Sequence, residues 1–253
     1  MGILDRFRLD DRVAVVTGAS SGLGVRFATA LAEAGADVVL AGRRADRLEE
    51  TAVDVRATGR RALVVPTDVA DPDACTALVA AATTEFGRLD VLVNNAGVGT
   101  AVPATRETPE QFRAVLDVNL MGAYWMAQAC GRVMQPGAAI VNISSVIGLH
   151  PQPLPQAAYA SSKAGLIGLT RDLAAQWSGR KGIRVNAVAP GFFESEMGES
   201  YAEGYVERQL ERIVLGRQGR LDELAATVVW LAGEGAGYVT GQTVVVDGGY
   251  TIG

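Results

Sequence analysis

The sequence predicts a single doubly wound α/β (Rossmann-type) domain, a parallel sheet covered by helices on both faces. Three observations carry this expectation. Short apolar runs rich in Val, Ile, Leu and Ala alternate with longer helix-patterned segments from end to end. The runs are continuously apolar, as strands buried on both faces are. No internal repeat, low-complexity stretch or linker divides the 253 residues, so 1–253 reads as one dinucleotide-binding and catalytic unit.

Residues 13–16 form the first strand, followed by a Gly-rich turn and a helical pattern over 26–34. The second strand is 38–41, and 44–58 reads as a helix with charges on its outer face. Further strands are read at 62–66, 91–94, 139–143, 184–188 and 243–246. Helices at 73–86, 109–134, 159–178 and 222–233 lie between them.

Composition narrows the function before any motif is read. Hydrophobic residues make up 49% and charged residues 20%, too apolar a chain for wholesale disorder. A net charge of −5 argues against nucleic acid as a partner, which needs a basic face; Arg43-Arg44 and Arg60-Arg61 are too short to make one. No apolar run reaches the roughly 18 residues of a membrane span. The start, Met1-Gly2-Ile3-Leu4-Asp5-Arg6, carries no secretory apolar region, so a cytoplasmic location is expected. Cys75 and Cys130 stand far apart and are expected to be free thiols. With one histidine, His150, and no carboxylate cluster, no metal site is expected.

The first strand runs into Thr17-Gly18-Ala19-Ser20-Ser21-Gly22-Leu23-Gly24, where a helix opens. Glycines at such a junction let the backbone turn tightly and approach a pyrophosphate, whose charge a helix N-terminus favours. The Gly-x-x-x-Gly-x-Gly spacing departs from the commoner Gly-x-Gly-x-x-Gly, and a plain Gly/Ser-rich turn is the alternative. Its place at the first strand–helix junction favours the dinucleotide, with Gly18, Ser20, Ser21, Gly22, Leu23 and Gly24 as contacts. The second strand ends at Gly42-Arg43-Arg44, with no carboxylate before Asp46. An acid there would bind the ribose 2′-OH of NAD, whereas arginine accommodates the 2′-phosphate of NADP. Arg43 and Arg44 therefore point to NADP(H). NAD(H) stays open, because Ser21 stands where a further basic residue would strengthen the case.

Asp68, with Val69 beside it, ends the third strand and either accepts from the adenine amino group or precedes the Asp71-Pro72 turn. The fourth strand ends in Asn94-Asn95-Ala96-Gly97-Val98-Gly99, and Asn95, Ala96 and Gly97 should wall the cofactor. Asn94 reads as a tie between neighbouring strands.

Tyr159 and Lys163 stand four residues apart, one above the other on a helix face. An ammonium beside a phenol favours the phenolate and makes an acid/base for an alcohol or carbonyl oxygen. Alone the pair is weak, since solvated Tyr/Lys pairs are common on helices. Asn119 is a poor mid-helix residue and marks either a kink or a polar network. Ser145 follows the fifth strand and faces the same crevice. His150 opens a loop held extended by Pro151, Pro153 and Pro155, and reads as solvated.

Thr17-Gly18-x-x-x-Gly22-x-Gly24, Asn94-Asn95-Ala96-Gly97, Asn119, Ser145, Tyr159, Lys163, Pro190-Gly191 and Asp247-Gly248-Gly249, in this order, resemble the short-chain dehydrogenase/reductase family over 10–249. The resemblance implies hydride exchange between a nicotinamide and a ketone or secondary alcohol. It implies that Tyr159 protonates the developing alkoxide while Ser145 donates a hydrogen bond to the same oxygen. Lys163 would lower the Tyr159 pKa and hold the nicotinamide ribose, and Asn119 would hold a water linking Lys163 to solvent. Pro190, Gly191, Phe193 and Ser195 would meet the nicotinamide carboxamide, Ser195 standing where the family has threonine. The excursion within 190–220 would be the substrate lid, its Met197, Tyr201 and Tyr205 forming one helical stripe. With Phe192 and Phe193 this implies a fairly apolar pocket lacking the cationic fork a dicarboxylate needs.

A small-molecule carbonyl or alcohol is the expected substrate. A 3-oxoacyl-carrier-protein reductase is an alternative: Arg180 and Lys181 follow the catalytic helix, but Gln135-Pro136-Gly137 lacks a second basic residue. The start Phe7-Arg8-Leu9-Asp10-Asp11-Arg12-Val13 is similar to that of sugar-acid dehydrogenases in the family. A cofactor-binding regulator without catalysis is argued against by the complete Asn119, Ser145, Tyr159 and Lys163 set. A homotetramer, or a homodimer, is implied, joined through the 109–134 and 159–178 helices and the closing 243–249 segment.

Overall fold

The computed structural model describes residues 2–193 and 204–253, the side chains of 205–207 excepted. Seven strands form one parallel sheet in the order β3-β2-β1-β4-β5-β6-β7. They are β1 (Val13–Thr17), β2 (Asp37–Gly42), β3 (Ala62–Pro66), β4 (Val91–Asn94), β5 (Ala139–Ile143), β6 (Arg184–Pro190) and β7 (Thr243–Val246). The helices are α1 (Gly22–Glu33), α2 (Ala45–Ala57), α3 (Pro72–Phe86), α4 (Pro109–Leu116), α5 (Gly122–Val133), α6 (Ala157–Lys181), α7 (Tyr205–Leu210) and α8 (Leu221–Ala232). Every predicted strand is present, because burial on both faces leaves an unbroken apolar run.

Alternation along β1 shows the two layers. Ala14 and Val16 join a core with Phe27 and Leu31 of α1, Leu48 of α2 and Val228 of α8. Val13 and Val15 join the opposite core, with Leu78 of α3, Met126 of α5 and Leu173 of α6. The chain steps outward from β1 to β3, then returns to β4 on the other side of β1. Connections leave β1 and β4 in opposite directions, which opens a crevice at their carboxyl ends.

The predicted helix over 109–134 is interrupted. A capping box starts α4: the Thr108 hydroxyl accepts from Gln111 N at 3.2 Å, and Gln111 Oε1 accepts from Thr108 N at 3.0 Å. A π-turn, Asp117–Met121, then separates α4 from α5 and carries the buried Asn119. The helix bulges where the Asn119 amide reaches out to another segment. Helix α1 begins at Gly22 instead of 26, because the last residues of the glycine turn form its first turn. Helix α6 extends beyond the predicted 159–178 at both ends.

The excursion after β6 is closed at its base. Phe193 pairs with Gly219 as an isolated bridge, and Gly219 N donates to Phe192 O at 3.0 Å. Ser195, Met197, Tyr201 and the Tyr205 side chain lie outside the described residues. Among the described residues no helix is long and apolar enough to cross a membrane. Cys75 and Cys130 are free and buried, and burial pushes the Cys75 thiol up to about 11.

A polar ladder crosses the sheet beneath the crevice. Asn94 Nδ2 donates to Asn142 Oδ1 at 2.9 Å and to Ala123 O at 3.0 Å, and Asn142 Nδ2 donates to the Thr170 hydroxyl at 2.9 Å. Asn94 is thus the strand tie that its sequence context indicated. Asn142→Leu leaves one of the two Asn94 Nδ2 hydrogens without its acceptor and should destabilise the fold by roughly 1–3 kcal/mol. The measurement is the urea midpoint, which should fall with an unchanged m value.

Candidate active site

A crevice of about 520 Å³ opens at the carboxyl ends of the strands on both sides of β1. Ser145, Tyr159 and Lys163 line it, as does every described cofactor candidate except Gly24. Sequence reasoning passed over further lining residues, among them Ser144, Ile147, Gln156 and Gln218.

The glycine turn is shaped by close approach. Gly18 has φ +66°, and a Cβ there would stand 2.8 Å from the Ala96 Cα. A Cβ on Gly24 would collide with the Gly18 carbonyl, so Gly24 shapes the turn from beneath. The Thr17 hydroxyl accepts from Asn95 N and Ala96 N, each at 3.0 Å. Asn95 Nδ2 donates to Thr17 O at 3.0 Å and Gly18 O at 3.2 Å, so its side chain joins the two turns while the residue still borders the crevice.

Ser21 is the N-cap of α1 but makes no side-chain cap bond. Its hydroxyl instead accepts from Arg44 Nη2 at 2.8 Å, and the same nitrogen lies 3.2 Å from the Ser20 hydroxyl. The first-turn N–H groups of α1 are thereby left for an anion, which the helix N-terminus favours. Arg44 holds a cationic rim above them, and Arg43 is exposed beside it. A tight glycine turn, an uncapped helix start and this rim fit a dinucleotide with its pyrophosphate on α1.

At the other end of the crevice, Lys163 is 4% exposed and its Nζ donates to Ile143 O at 2.8 Å. Burial disfavours the ammonium and lowers its pKa to about 8. The Nζ lies 5.5 Å from the centre of the Tyr159 ring. Gly97 lies against it, a Cβ there standing at ordinary contact distance, 3.5 Å, from the Nζ. The Ser145 hydroxyl accepts from Ile147 N at 3.2 Å, which leaves its hydrogen for a substrate oxygen. Its neighbour Ser144 donates to Lys163 O at 2.8 Å and fastens β5 to α6.

Asn119 does not line the crevice, yet it organises two of its walls. Its Nδ2 donates to Val98 O at 2.9 Å and to the Ser162 hydroxyl at 3.0 Å, and its Oδ1 accepts from Val98 N at 2.8 Å. Ser162 in turn donates to Tyr159 O at 2.7 Å. All three side-chain bonds end on protein groups, so Asn119 ties the turn after β4 to the helical turn that carries Tyr159.

His150 does not line the crevice; its Nδ1 lies 3.1 Å from Pro151 O. Arg180 and Lys181 sit at the opposite end of α6 from Tyr159, about 30 Å along the helix axis at 1.5 Å per residue. The Lys181 Nζ donates to Gly131 O at 2.6 Å, so this basic pair does not adjoin the crevice of its own chain. Among the described residues no group of His, Cys, Asp and Glu is placed to hold a metal ion.

Comparison with known proteins adds to this geometry. The family described as enoyl-(acyl carrier protein) reductase (adh_short_C2) matches residues 18–251. An uncharacterized short-chain type dehydrogenase/reductase of Sinorhizobium fredii is 43% identical over 250 residues, which is 97% of this chain but 45% of that longer protein. The 3-oxoacyl-[acyl-carrier-protein] reductase FabG of Thermotoga maritima is 38% identical over 97% of this chain and 100% of its own. The crystal structure of a gluconate 5-dehydrogenase from Burkholderia cenocepacia, in complex with NADP and tartrate, superposes with a TM-score of 0.94 at 35% identity, covering both chains fully. A family match over residues 18–251, identity of this extent and superposition over the whole length agree: the chain belongs to the short-chain dehydrogenase/reductase family, oxidoreductases that exchange a hydride between a nicotinamide cofactor and a ketone or secondary alcohol.

Proposed function

We propose that this enzyme prefers NADP(H) and that Tyr159 is its general acid/base. The observation that carries the proposal is the shared placement of Tyr159, Ser145 and buried Lys163 at one end of a crevice whose other end is cationic. When bound, NADPH supplies the hydride that adds to the substrate carbonyl carbon. The chain's own residues handle charge and protons. Tyr159 gives its phenolic proton to the substrate oxygen, and Ser145 donates a hydrogen bond to that oxygen as negative charge builds. Lys163 stabilises the phenolate left behind, and its donors beyond the one on Ile143 O are available to a ribose hydroxyl. Oxidation of an alcohol reverses these roles.

Cofactor positions follow the crevice. The α1 N-terminus and glycine turn hold the pyrophosphate, Arg43 and Arg44 the 2′-phosphate, Asp68 and Val69 the adenine side, and Pro190 to Phe193 the carboxamide. Asn119 is a positioning residue that fixes the distance between the Val98 turn and Tyr159. A relay water would donate to the second lone pair of its Oδ1 or use the backbone of its π-turn, since both Nδ2 hydrogens are engaged by protein groups.

A secondary alcohol or ketone of small size is the proposed substrate. Reduction of a carrier-linked 3-oxoacyl group is a second reading, favoured by the 38% identity to the Thermotoga maritima reductase. We further propose that 1–253 acts as one unit, in the cytoplasm, and as a homotetramer or homodimer. Met121 beside α5 and Val245 of β7, which are 38% and 40% exposed, place apolar side chains on the elements that would meet.

Tyr159→Phe should lower kcat/KM for any reduced ketone by about 10²–10⁴-fold with the NADPH dissociation constant unchanged. Reduction that survives intact removes Tyr159 as the acid. Arg44→Asp should shift the ratio of kcat/KM for NADPH and NADH roughly 10- to 100-fold towards NADH, the worth of a charge-assisted hydrogen bond. A wild-type preference for NADH would overturn the reading of Arg43 and Arg44.

A further inference from the structure

Lys163 is gripped at both ends by consecutive residues at the close of β5. Its Nζ donates to Ile143 O at 2.8 Å, and its own carbonyl accepts from the Ser144 hydroxyl at 2.8 Å. Ser144 is buried, and its backbone N–H donates to Val188 O at 2.7 Å, so the hydroxyl projects from a residue already pinned to β6. Lys163 lies inside α6, where its carbonyl serves the amide four residues further on. The helix therefore does not need the Ser144 hydroxyl. What that bond adds is a fixed distance between helix and sheet.

The distance matters because of what stands on either side of it. Ser145 follows Ser144 in the chain, and Tyr159 stands one helical turn before Lys163. One short link thus separates the two hydroxyls that share the substrate oxygen. Other bonds between β5 and α6 hold this spacing less closely. Asn142 reaches Thr170, about two turns further along α6, and the Lys163 ammonium reaches Ile143 through a flexible stem. Gly148 presses on the same point from the turn that carries Ser145. A Cβ there would stand 2.7 Å from the Lys163 carbonyl carbon and 2.8 Å from Ala164 N. That turn and the catalytic helix meet backbone to backbone, and the Ser144 hydroxyl bonds across the contact.

We propose that Ser144 is a positioning residue, whose bond to Lys163 O sets the separation of the Ser145 and Tyr159 hydroxyls so that both reach one substrate oxygen at once. This rests on Tyr159 as the acid and Ser145 as the hydrogen-bond donor in the same crevice. The single hydroxyl hydrogen of Ser144 is engaged on Lys163 O, so it acts through its neighbours and not on the substrate. Losing the link loosens alignment in the transition state while leaving both binding sites in place.

The test uses NADPH with whichever of ethyl acetoacetate, erythrulose and cyclohexanone the wild type reduces fastest. Ser144→Ala should lower kcat about tenfold, with the ketone KM and the NADPH dissociation constant within about twofold of wild type. In a Ser145→Ala background the same change should lower kcat by less than about twofold, because no second hydroxyl is left to be spaced. A structural role alone would lower kcat about tenfold in both backgrounds, and that result overturns the proposal. An unchanged kcat in Ser144→Ala overturns it too.

Ser144→Ala leaves the Lys163 carbonyl on its helix bond, so no buried acceptor is stranded and the variant should fold. If it does not, Gly148→Ala takes its place, since the added Cβ pushes the Ser145 turn off α6. It should give the same signature: kcat lowered, NADPH binding kept, and no further loss once Ser145 is alanine. Tyr159→Phe separates the two levels of the argument. If Tyr159→Phe loses activity while Ser144→Ala keeps it, the positioning role alone falls. If Tyr159→Phe keeps activity, or the wild type reduces none of the three ketones, the reading beneath it falls and takes the proposal with it.

Discussion

A single ammonium inside the protein sets the demands that the rest of the site meets. Lys163 is withdrawn from water, and the Ile143 carbonyl at the end of β5 accepts from it at 2.8 Å. A buried cation is disfavoured unless its surroundings compensate, and its pKa falls accordingly, to about 8. Of the 23 basic residues, only Lys163 and Lys181 are lysines. Elsewhere the chain uses arginine, whose guanidinium stays charged and forks between acceptors, as Arg44 does over Ser20 and Ser21. At the one place where a cation's proton affinity has to be tuned, it uses lysine.

Holding that ammonium beside Tyr159 requires several segments to be locked together. Ser144 fastens β5 to the Lys163 carbonyl, and Asn119 fastens the Val98 turn to Ser162, which grips the Tyr159 carbonyl. At the cofactor end, Thr17 and Asn95 pin the β1 and β4 turns across the point where the sheet order reverses. The cationic rim and the acid/base pair are therefore fixed on one rigid sheet edge, so a ligand bound to the first is aligned with the second.

Much of this was legible in the sequence, and the reasons differ from element to element. The seven strands read clearly because each is buried on both faces, and the crevice followed from small residues placed after β1 and β4. Asn119 was legible as an anomaly, but not the π-turn around it, because its partners Val98 and Ser162 lie 21 and 43 positions away. Asn95 was legible as a wall of the crevice, but not the bond of its amide to a carbonyl 78 positions upstream. Arg180 and Lys181 seemed close to the site along the chain, and the length of α6 carries them to its far end. Gln156, which lines the crevice, had no signal at all, since a glutamine in a Pro-rich loop reads as solvated.

The two lysines make the tuning of Lys163 directly observable. In protein labelled with ¹³C at the lysine ε-carbon, the pH titration of the two resonances reports each ammonium separately. The resonance that is absent in Lys163→Met is expected to titrate near 8, as burial of the group requires. Titration of that resonance at the ordinary lysine value of about 10.4 would contradict the account, because it would place the Lys163 ammonium in water instead of on the Ile143 carbonyl.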